Sequence, residues 1–516
     1  MNLRPSRRTF LKSMASVASA TVTLPPPVRP ALSARKPNLL FLWTDEQRAD
    51  TIDVYGNNRI QTPNLAKLAA ESVVFRNAYV SQPVCTPSRA TVMTGLWPHQ
   101  SGCTQNNIAL SEGSPTLPEI VCDSDYRTGY FGKWHLGDEV FPQRGFQEWR
   151  SIEDMYWEYC REGRDADQKS SYCEWLKRLG CQPDTPRDDF SRGFASRLPI
   201  QRCKPKYLEQ EACDFLRRRR TEPFMLYVNF LEPHMPFSGP LNDLYRPEDV
   251  TLPANFDDPI EENEPEAYRA RVRKYVEGLY EKEFDLTKES EWRRLIAHYW
   301  GLVTQVDRSV GAILTTLEEL GLAADTIVVF TSDHGDMMGS HRLVEKSIMY
   351  QEALRVPWMI RVPQWRRRQQ VVEGHVSHID LVPTMLELLG VEPDRKLPGR
   401  SLVPAMKGEA AVSGPVFVEW NAPQTMEKGR NPGGARRDAS RLEGPSTRAV
   451  IAADGWKLCL NERDRNQLFN LDKDPGETVN LHGRSEQRAV IERLAALIRA
   501  WQQRVDDQLG LPMNAG

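Results

Sequence analysis

Asn38-Leu39-Leu40-Phe41-Leu42-Trp43, followed at once by Thr44-Asp45-Glu46, is the stretch on which the fold class turns. Pro37 precedes it, and beyond Asn38 the run carries no polar residue. An uninterrupted apolar run of strand length reads as a strand buried on both faces, which is the habit of parallel sheets. Val73-Val74-Phe75, Phe224 to Phe230 and Thr326 to Phe330 have the same character. Helical signals lie between them. Thr62-Pro63-Asn64 starts a helix, with Thr62 as N-cap, Pro63 in the first turn and Leu65, Leu68 and Ala69 along one face. From Leu302 to Leu320, Val306, Val310, Ile313, Leu314 and Leu317 recur at helical spacing. Strands alternating with helices predict an α/β fold with a large, mostly parallel sheet flanked by helices.

Such sheets bind ligands beyond the carboxyl ends of their strands. Four polar groups occupy that place here: Asp45 and Glu46 after the first strand, Cys85 after the second, His234 after Phe224–Phe230, and Asp333-His334 after Ile327–Phe330.

The remainder of the chain sets bounds. It has 516 residues, 67 basic and 70 acidic, a net charge of −3, 40% hydrophobic and 27% charged residues. This composition is globular, and the charge balance speaks against nucleic-acid binding. No apolar run reaches the roughly 18 residues of a membrane span, so no stable membrane insertion is expected. Nine cysteines are too few for a disulfide scaffold. Cys173 and Cys181 are a pair that an oxidising compartment would allow to bridge.

Residues 1–34 read as an export signal: Ser6-Arg7-Arg8-Thr9-Phe10-Leu11-Lys12, a weakly apolar stretch, then Pro25-Pro26-Pro27 and small residues. The paired arginines resemble a twin-arginine (Tat) signal, which implies the Tat export machinery as a partner and a periplasmic or secreted location. Residues 35–423 form the main α/β domain, with an apparent insertion at about 139–201 whose Trp149, Trp157 and Trp175 suggest a sugar-stacking wall. Residues 424–448, rich in Gly, Arg and Ser, read as a flexible loop in which Arg436-Arg437 could meet an anion. Residues 449–516 read as a smaller C-terminal subdomain: three short antiparallel strands, then a helix over about Ser485–Val505. Arg217–Arg220 and Arg366–Arg368 read as solvated faces, and His99, His298 and His375 receive no role.

The motif richest in chemistry is Cys85-Thr86-Pro87-Ser88-Arg89. Pro87 suits a first helical turn, Gly95 is placed to end the helix, and Arg89 lies one turn from Cys85 on the same face. A lone cysteine is ordinarily a buried structural thiol. Here its company reverses that reading. The C-x-P-S-R motif resembles that of the type I (formylglycine-dependent) sulfatases of the alkaline-phosphatase superfamily. Gly129-Tyr130-Phe131-Gly132-Lys133-Trp134-His135-Leu136-Gly137, Thr331-Ser332-Asp333-His334-Gly335, Lys346 with Arg355-Val356-Pro357, and Asp454-Gly455-Trp456-Lys457 resemble further segments of that family. The resemblance runs from about Lys36 to the C-terminal helix.

That resemblance implies an alkaline-phosphatase-like fold and an exported sulfatase. Cys85 would be converted to Cα-formylglycine by a maturase, its hydrate acting as nucleophile. Asp45, Glu46, residue 85, Asp333 and His334 would hold one divalent cation. Ca²⁺ is implied, with Mg²⁺, Mn²⁺ or Zn²⁺ as alternatives because His334 stands where many relatives have Asn. Glu46 likewise stands where many have Asp or Gln. Arg89 and Lys133 would hold developing charge, His234 with Lys346 would protonate the leaving alcohol, and His135 would take the proton that releases sulfate. The substrate class expected from context is a sulfated small molecule or glycan. The alternatives are a phosphonate monoester or phosphodiester hydrolase on the same scaffold, and a catalytically silent sulfatase-like binding protein.

Overall fold

The computed structural model describes residues 36–512 apart from 157–164, 166, 259, 261, 277–278, 281–282, 364, 366–368 and 424–443. The 1–34 signal, Trp157, Arg366–Arg368 and Arg436-Arg437 lie outside the described residues. β1 (Asn38–Asp45) is buried along its whole length. Leu39, Phe41 and Trp43 enter one core, and Leu40 and Leu42 enter another on the opposite face. A strand buried on both faces has no polar side to show, which explains the unbroken apolar run.

The sheet continues with β2 (Val73–Tyr79), β3 (Arg127–Gly132), β4 (Glu148–Arg150) and β5 (Phe224–Pro233). A separate ribbon of β6 (Leu279–Tyr280) and β7 (Phe284–Asp285) follows. β8 (Thr326–Ser332), β9 (Arg355–Val356), β10 (Trp358–Arg361) and β11 (Gln370–Ser377) then complete the sheet. The order is β11-β2-β10-β8-β1-β5-β3-β4, with β9 on β2. β9 and β10 pair antiparallel and the other pairings are parallel, so β1, β2, β3, β5 and β8 end at one edge.

Helices cover both faces. In chain order they are α1 (Pro63–Ala70), α2 (Cys85–Thr94), α3 (Lys204–Arg219), α4 (Glu289–Glu319) and α5 (Leu381–Leu389). α1, α3 and α4 pack on the Leu40/Leu42 face, and α2 and α5 on the Leu39/Phe41 face. α1 begins at Pro63 as expected, but the Thr62 side chain does not cap it. Asp307 of α4 does so instead, accepting the N–H of Leu65 at 2.8 Å and of Asn64 at 3.3 Å. α4 also starts well before Leu302, because Trp292, Leu295, Ile296 and Tyr299 carry its apolar stripe into a further core.

A second, four-stranded antiparallel sheet runs β12 (Val416–Trp420), β13 (Thr447–Ile451), β14 (Trp456–Asn461), β15 (Gln467–Asn470). The last helix, α6 (Arg488–Val505), lays Ile491, Leu494, Ile498 and Trp501 against Val450, Leu458 and Leu468. This sheet draws its first strand from before the 424–448 segment, with Val416–Trp420 paired antiparallel to Thr447–Ile451.

The 139–201 segment is also not simply an insertion. Its β4 extends the main sheet beside β3. Trp149 is buried there, stacked on Tyr130 with ring centroids 4.9 Å apart. Trp175 packs on Tyr172 and Tyr207. The tryptophan wall expected from the sequence is therefore corrected: Trp149 fills core and Trp175 packs half-buried against the core on the other sheet face, because large apolar rings are worth most where water is excluded. Cys173 and Cys181 do not bridge; each described cysteine is free. Among the described residues no helix is long and apolar enough to cross a membrane.

β3 ends at Gly132, whose φ is +126° and whose missing side chain lets β5 approach: a Cβ there would stand 1.9 Å from the Asn229 carbonyl oxygen. Gly132→Ala is expected to destabilise the fold by about 3 kcal/mol or more, from backbone strain and overpacking together. A urea midpoint unchanged from wild type would refute this.

Candidate active site

α2 opens at Cys85 because Val84 is still extended, and it closes at Gly95 (φ +70°), whose N–H bonds the Thr91 carbonyl. All of α2 is buried, so its first turn is fixed against the strand ends. Cys85 Sγ lies 3.3 Å from His334 Nε2, 3.7 Å from Asp45 Oδ1 and 3.8 Å from Lys133 Nζ. Four elements of distant sequence thus meet at one sulfur: the ends of β1 and β8, the loop after β3, and the start of α2.

The two aspartates divide their oxygens. Asp45 Oδ2 accepts from Arg89 Nη2 at 2.8 Å and from Lys133 Nζ at 2.6 Å. Asp333 Oδ2 accepts from Arg89 Nε at 2.9 Å. Their Oδ1 atoms face His334 Nε2, at 3.7 Å for Asp45 and 3.6 Å for Asp333. His334 Nδ1 donates to the Gly335 carbonyl at 2.9 Å, which leaves the Nε2 lone pair toward the centre. Asp45, Cys85, Asp333 and His334 are all buried, with ligand atoms within 4.8 Å of one another. Two carboxylate oxygens and an imidazole nitrogen converging in a water-poor pocket fit a divalent cation. Arg89 is tied further to the Lys133 carbonyl at 2.8 Å and Asn229 Oδ1 at 2.9 Å, and it lies over the Trp43 ring.

Glu46, expected among the metal ligands, lies with Asp45 and His234 in a second buried group whose ligand atoms are within 4.8 Å of one another. Its Oε2 accepts from Lys346 Nζ at 2.8 Å, and Lys346 Nζ is 3.0 Å from His234 Nε2. His234 Nε2 is 3.5 Å from the same carboxylate, and Glu46 Oε1 is buried without a partner. His135 occupies a third position. Its Nε2 meets Asn107 Oδ1 at 2.8 Å, and its ring stacks on Tyr156 at 4.4 Å. The Glu139 carboxylate accepts the backbone N–H of Trp134 at 2.9 Å and of His135 at 2.5 Å.

Burial and neighbouring charge set the protonation states. Burial would raise the Asp45 carboxyl, but Lys133 and the other cations hold it well below the usual carboxylate range. Burial lifts Glu46 well above that range against the pull of Lys346. Burial, with Lys346 for His234 and Lys133 for His135, keeps both imidazoles well below their ordinary value and hence neutral. Burial and Asp45 push the Cys85 thiol up, yet Lys133, Lys346 and His334 together bring it below its ordinary value. His99, left without a role, ties Glu419 to the end of α6, and His298 Nδ1 donates to the Phe237 carbonyl at 3.0 Å.

Asp45, Glu46, Cys85, Arg89, Lys133, His135, His234, Asp333, His334 and Lys346 thus all lie in this region. Asn229, Asn107, Glu139 and Tyr156 were not singled out, and no local motif marks them.

The family profile named Sulfatase matches residues 37–391. The chain belongs to the sulfatase family. It is 30% identical over 457 residues to the uncharacterised sulfatase YidJ of Escherichia coli, covering 87% of this chain and 83% of that one. It is 26% identical over 536 residues to the N-acetylglucosamine-6-O-sulfatase of Bacteroides thetaiotaomicron, covering 92% and 87%. The crystal structure of the phosphonate monoester hydrolase of Agrobacterium radiobacter shares the fold, with a TM-score of 0.74 at 23% identity over 92% of this chain and 97% of that one. As a sulfatase, this enzyme is a sulfuric ester hydrolase, and the alkaline-phosphatase-like architecture agrees with that of its solved neighbours.

In this sulfatase Asp45 contributes stability as a charged group. Its carboxyl is lowered by folding, so that contribution is present above the unfolded carboxylate value and is lost only in strong acid. Asp45→Asn leaves Arg89 and Lys133 buried with less compensation and is expected to cost about 3–5 kcal/mol at neutral pH. Urea unfolding at pH 7 checks it; a loss under about 1 kcal/mol would remove Asp45 from the centre of the site.

Proposed function

We propose that this sulfatase is exported through the Tat route and removes sulfate from a sulfated carbohydrate, using a formylglycine made from Cys85 by a maturase and a divalent cation, Ca²⁺ by preference. The observation that carries the reading is the setting of Cys85: a buried sulfur at the first turn of α2, ringed by Lys133, His334 and Asp45. A helix N-terminus and the flanking Lys133 ammonium are the environment a reacting anion needs.

Sγ marks the place where the oxygens of residue 85 would stand. The aldehyde's hydrate supplies a nucleophile with a second hydroxyl, which a plain serine lacks. Asp45, Asp333 and His334 would hold the cation, and when bound it would act as Lewis acid on the sulfate oxygens. Arg89 pairs with one oxygen of each aspartate and leaves the other turned inward. Lys133 places its charge beside residue 85. Lys346 and His234, 3.0 Å apart, form a proton-donating pair for the leaving alcohol, with Glu46 holding Lys346 in place. His135, neutral and buried, takes a proton from residue 85. The carbohydrate preference is supported by the sugar sulfatase among the relatives and by the signal read in residues 1–34.

One observation favours a second reading. His334 brings an imidazole into the donor set, which widens the choice of metal and keeps phosphonate monoesters and phosphodiesters as candidate substrates. The silent binding protein is disfavoured, since the charged residues the chemistry needs are all present and converge.

Maturation is tested directly by mass. Protein made beside a maturase should give a Cys85 peptide lighter by roughly 18 mass units, from exchange of sulfur for oxygen with oxidation. Cys85→Ala should fold with an unchanged urea midpoint and lose all turnover; retained turnover, or an unmodified thiol in an active enzyme, would overturn the mechanism. Chelation should suppress sulfate release, and restoration by added metal should name the ion. Activity unaffected by exhaustive chelation would contradict the Asp45, Asp333 and His334 assignment. A panel of sulfated sugars against phosphodiesters separates the two substrate readings.

A further inference from the structure

His135 is tied at almost every atom. Its backbone has φ +56°, and its N–H is held by Glu139. Its carbonyl accepts from Thr86 Oγ1 at 2.8 Å, one residue from Cys85. Thr86 in turn donates its N–H to Asn106 Oδ1 at 3.0 Å, and its Oγ1 accepts the Asn107 N–H at 3.3 Å. Tyr156 covers one ring face, and Arg192 Nη2 donates to the Tyr156 hydroxyl at 3.2 Å. Asn107 Oδ1 meets Nε2 at 2.8 Å. The exception is Nδ1, which is buried and has no partner. In a ring held this firmly, one unpaired buried nitrogen marks where a ligand's proton is meant to go.

A neutral imidazole has one N–H and one lone pair, and the hydrogen bond at one nitrogen decides what the other offers. We propose that Asn107 is a positioning residue: its carbonyl oxygen accepts the Nε2–H of His135 and so fixes the tautomer in which Nδ1 is the proton acceptor. This rests on the reading in which His135 serves residue 85. A hydroxyl proton at that residue passes to Nδ1 while Nε2 keeps its own, and the ring goes from neutral to singly charged. Asn107 also spans the gap to α2 through Thr86, so the same bracket sets the distance between ring and nucleophile. The groups facing the ring are the cations Lys133, Arg89 and Arg192 and the carboxylates of Asp45 and Glu139. Burial and the cations keep the imidazole neutral, ready to accept rather than donate.

Tautomers are read by nitrogen NMR of the ¹⁵N-histidine-labelled full chain, with the His135 signals identified by their loss in His135→Gln. The wild type, with Cys85 either converted or not, should show a protonated-type Nε2 and an unprotonated-type Nδ1. The opposite tautomer would overturn the proposal whatever the activity. In matured enzyme Asn107→Leu should lower kcat by about tenfold to a hundredfold with KM within about threefold, as expected when a general base is misplaced. Asn107→Asp keeps an acceptor. It should preserve the tautomer, recover at least about tenfold over the leucine variant, and raise the imidazole's pKa, moving the acid limb of the kcat/KM profile to higher pH. An aspartate variant no better than leucine, with an unshifted acid limb, would also overturn it. Wild-type enzyme that shows the expected tautomer but cleaves no sulfate ester would instead fail the functional reading and leave the positioning intact.

Discussion

A single carboxylate, Asp45, lies fully buried between Arg89 and Lys133, and the rest of the site is arranged around that fact. A buried ion is expensive unless it is paired and hydrogen-bonded in full. Asp45 is paired only if β1 ends where the loop after β3 begins and where α2 passes. The register of β1, β5 and β3 supplies the first condition, since Trp43 pairs with Asn229 and Gly132 pairs with Asn229. The bare Gly132 allows the close approach there, and Gly335, where a Cβ would stand 1.9 Å from the Glu352 carbonyl oxygen, allows it beside His334. Packing of backbone against backbone at these two glycines is thus a condition for the charge pairing.

The charges divide into two groups that share a wall. Arg89 neutralises the outer oxygens of Asp45 and Asp333, which frees the inner ones to face His334 and Cys85. Lys346 and Glu46 form a separate pair beside His234. One group suits binding of anion and cation, the other suits proton delivery, and burial with the neighbouring lysines keeps His135 and His234 neutral. Clustering of buried, mutually perturbed titratable groups of this kind is characteristic of catalytic sites.

The edge of the sheet connects fold to specificity. β4 and the residues after it bring Tyr156 against His135, and the short helix at Arg192 brings a guanidinium to Tyr156. Arg192 is held by Glu153, which Lys204 of α3 also engages. A segment that reads in sequence as an insertion therefore closes one side of the catalytic region, while its Trp149 serves the core.

What the sequence by itself determined was whatever rests on local pattern. The apolar run of β1, the Pro63 start of α1, and the Cys85-to-Arg89 motif with its Gly95 terminator each act within one strand or helix, so their residue types declare their role. The candidate metal and acid–base residues were legible for the same reason, as short polar signatures after strands. Only the tertiary structure decided that Lys346 pairs with Glu46, that Asp307 rather than Thr62 caps α1, that Trp149 is core, and that Asn107 and Glu139 hold His135. These are contacts between ordinary residue types far apart in the chain. Their meaning lies in distance and burial, and nothing in the local pattern of an asparagine or a tryptophan encodes which distant group it will meet.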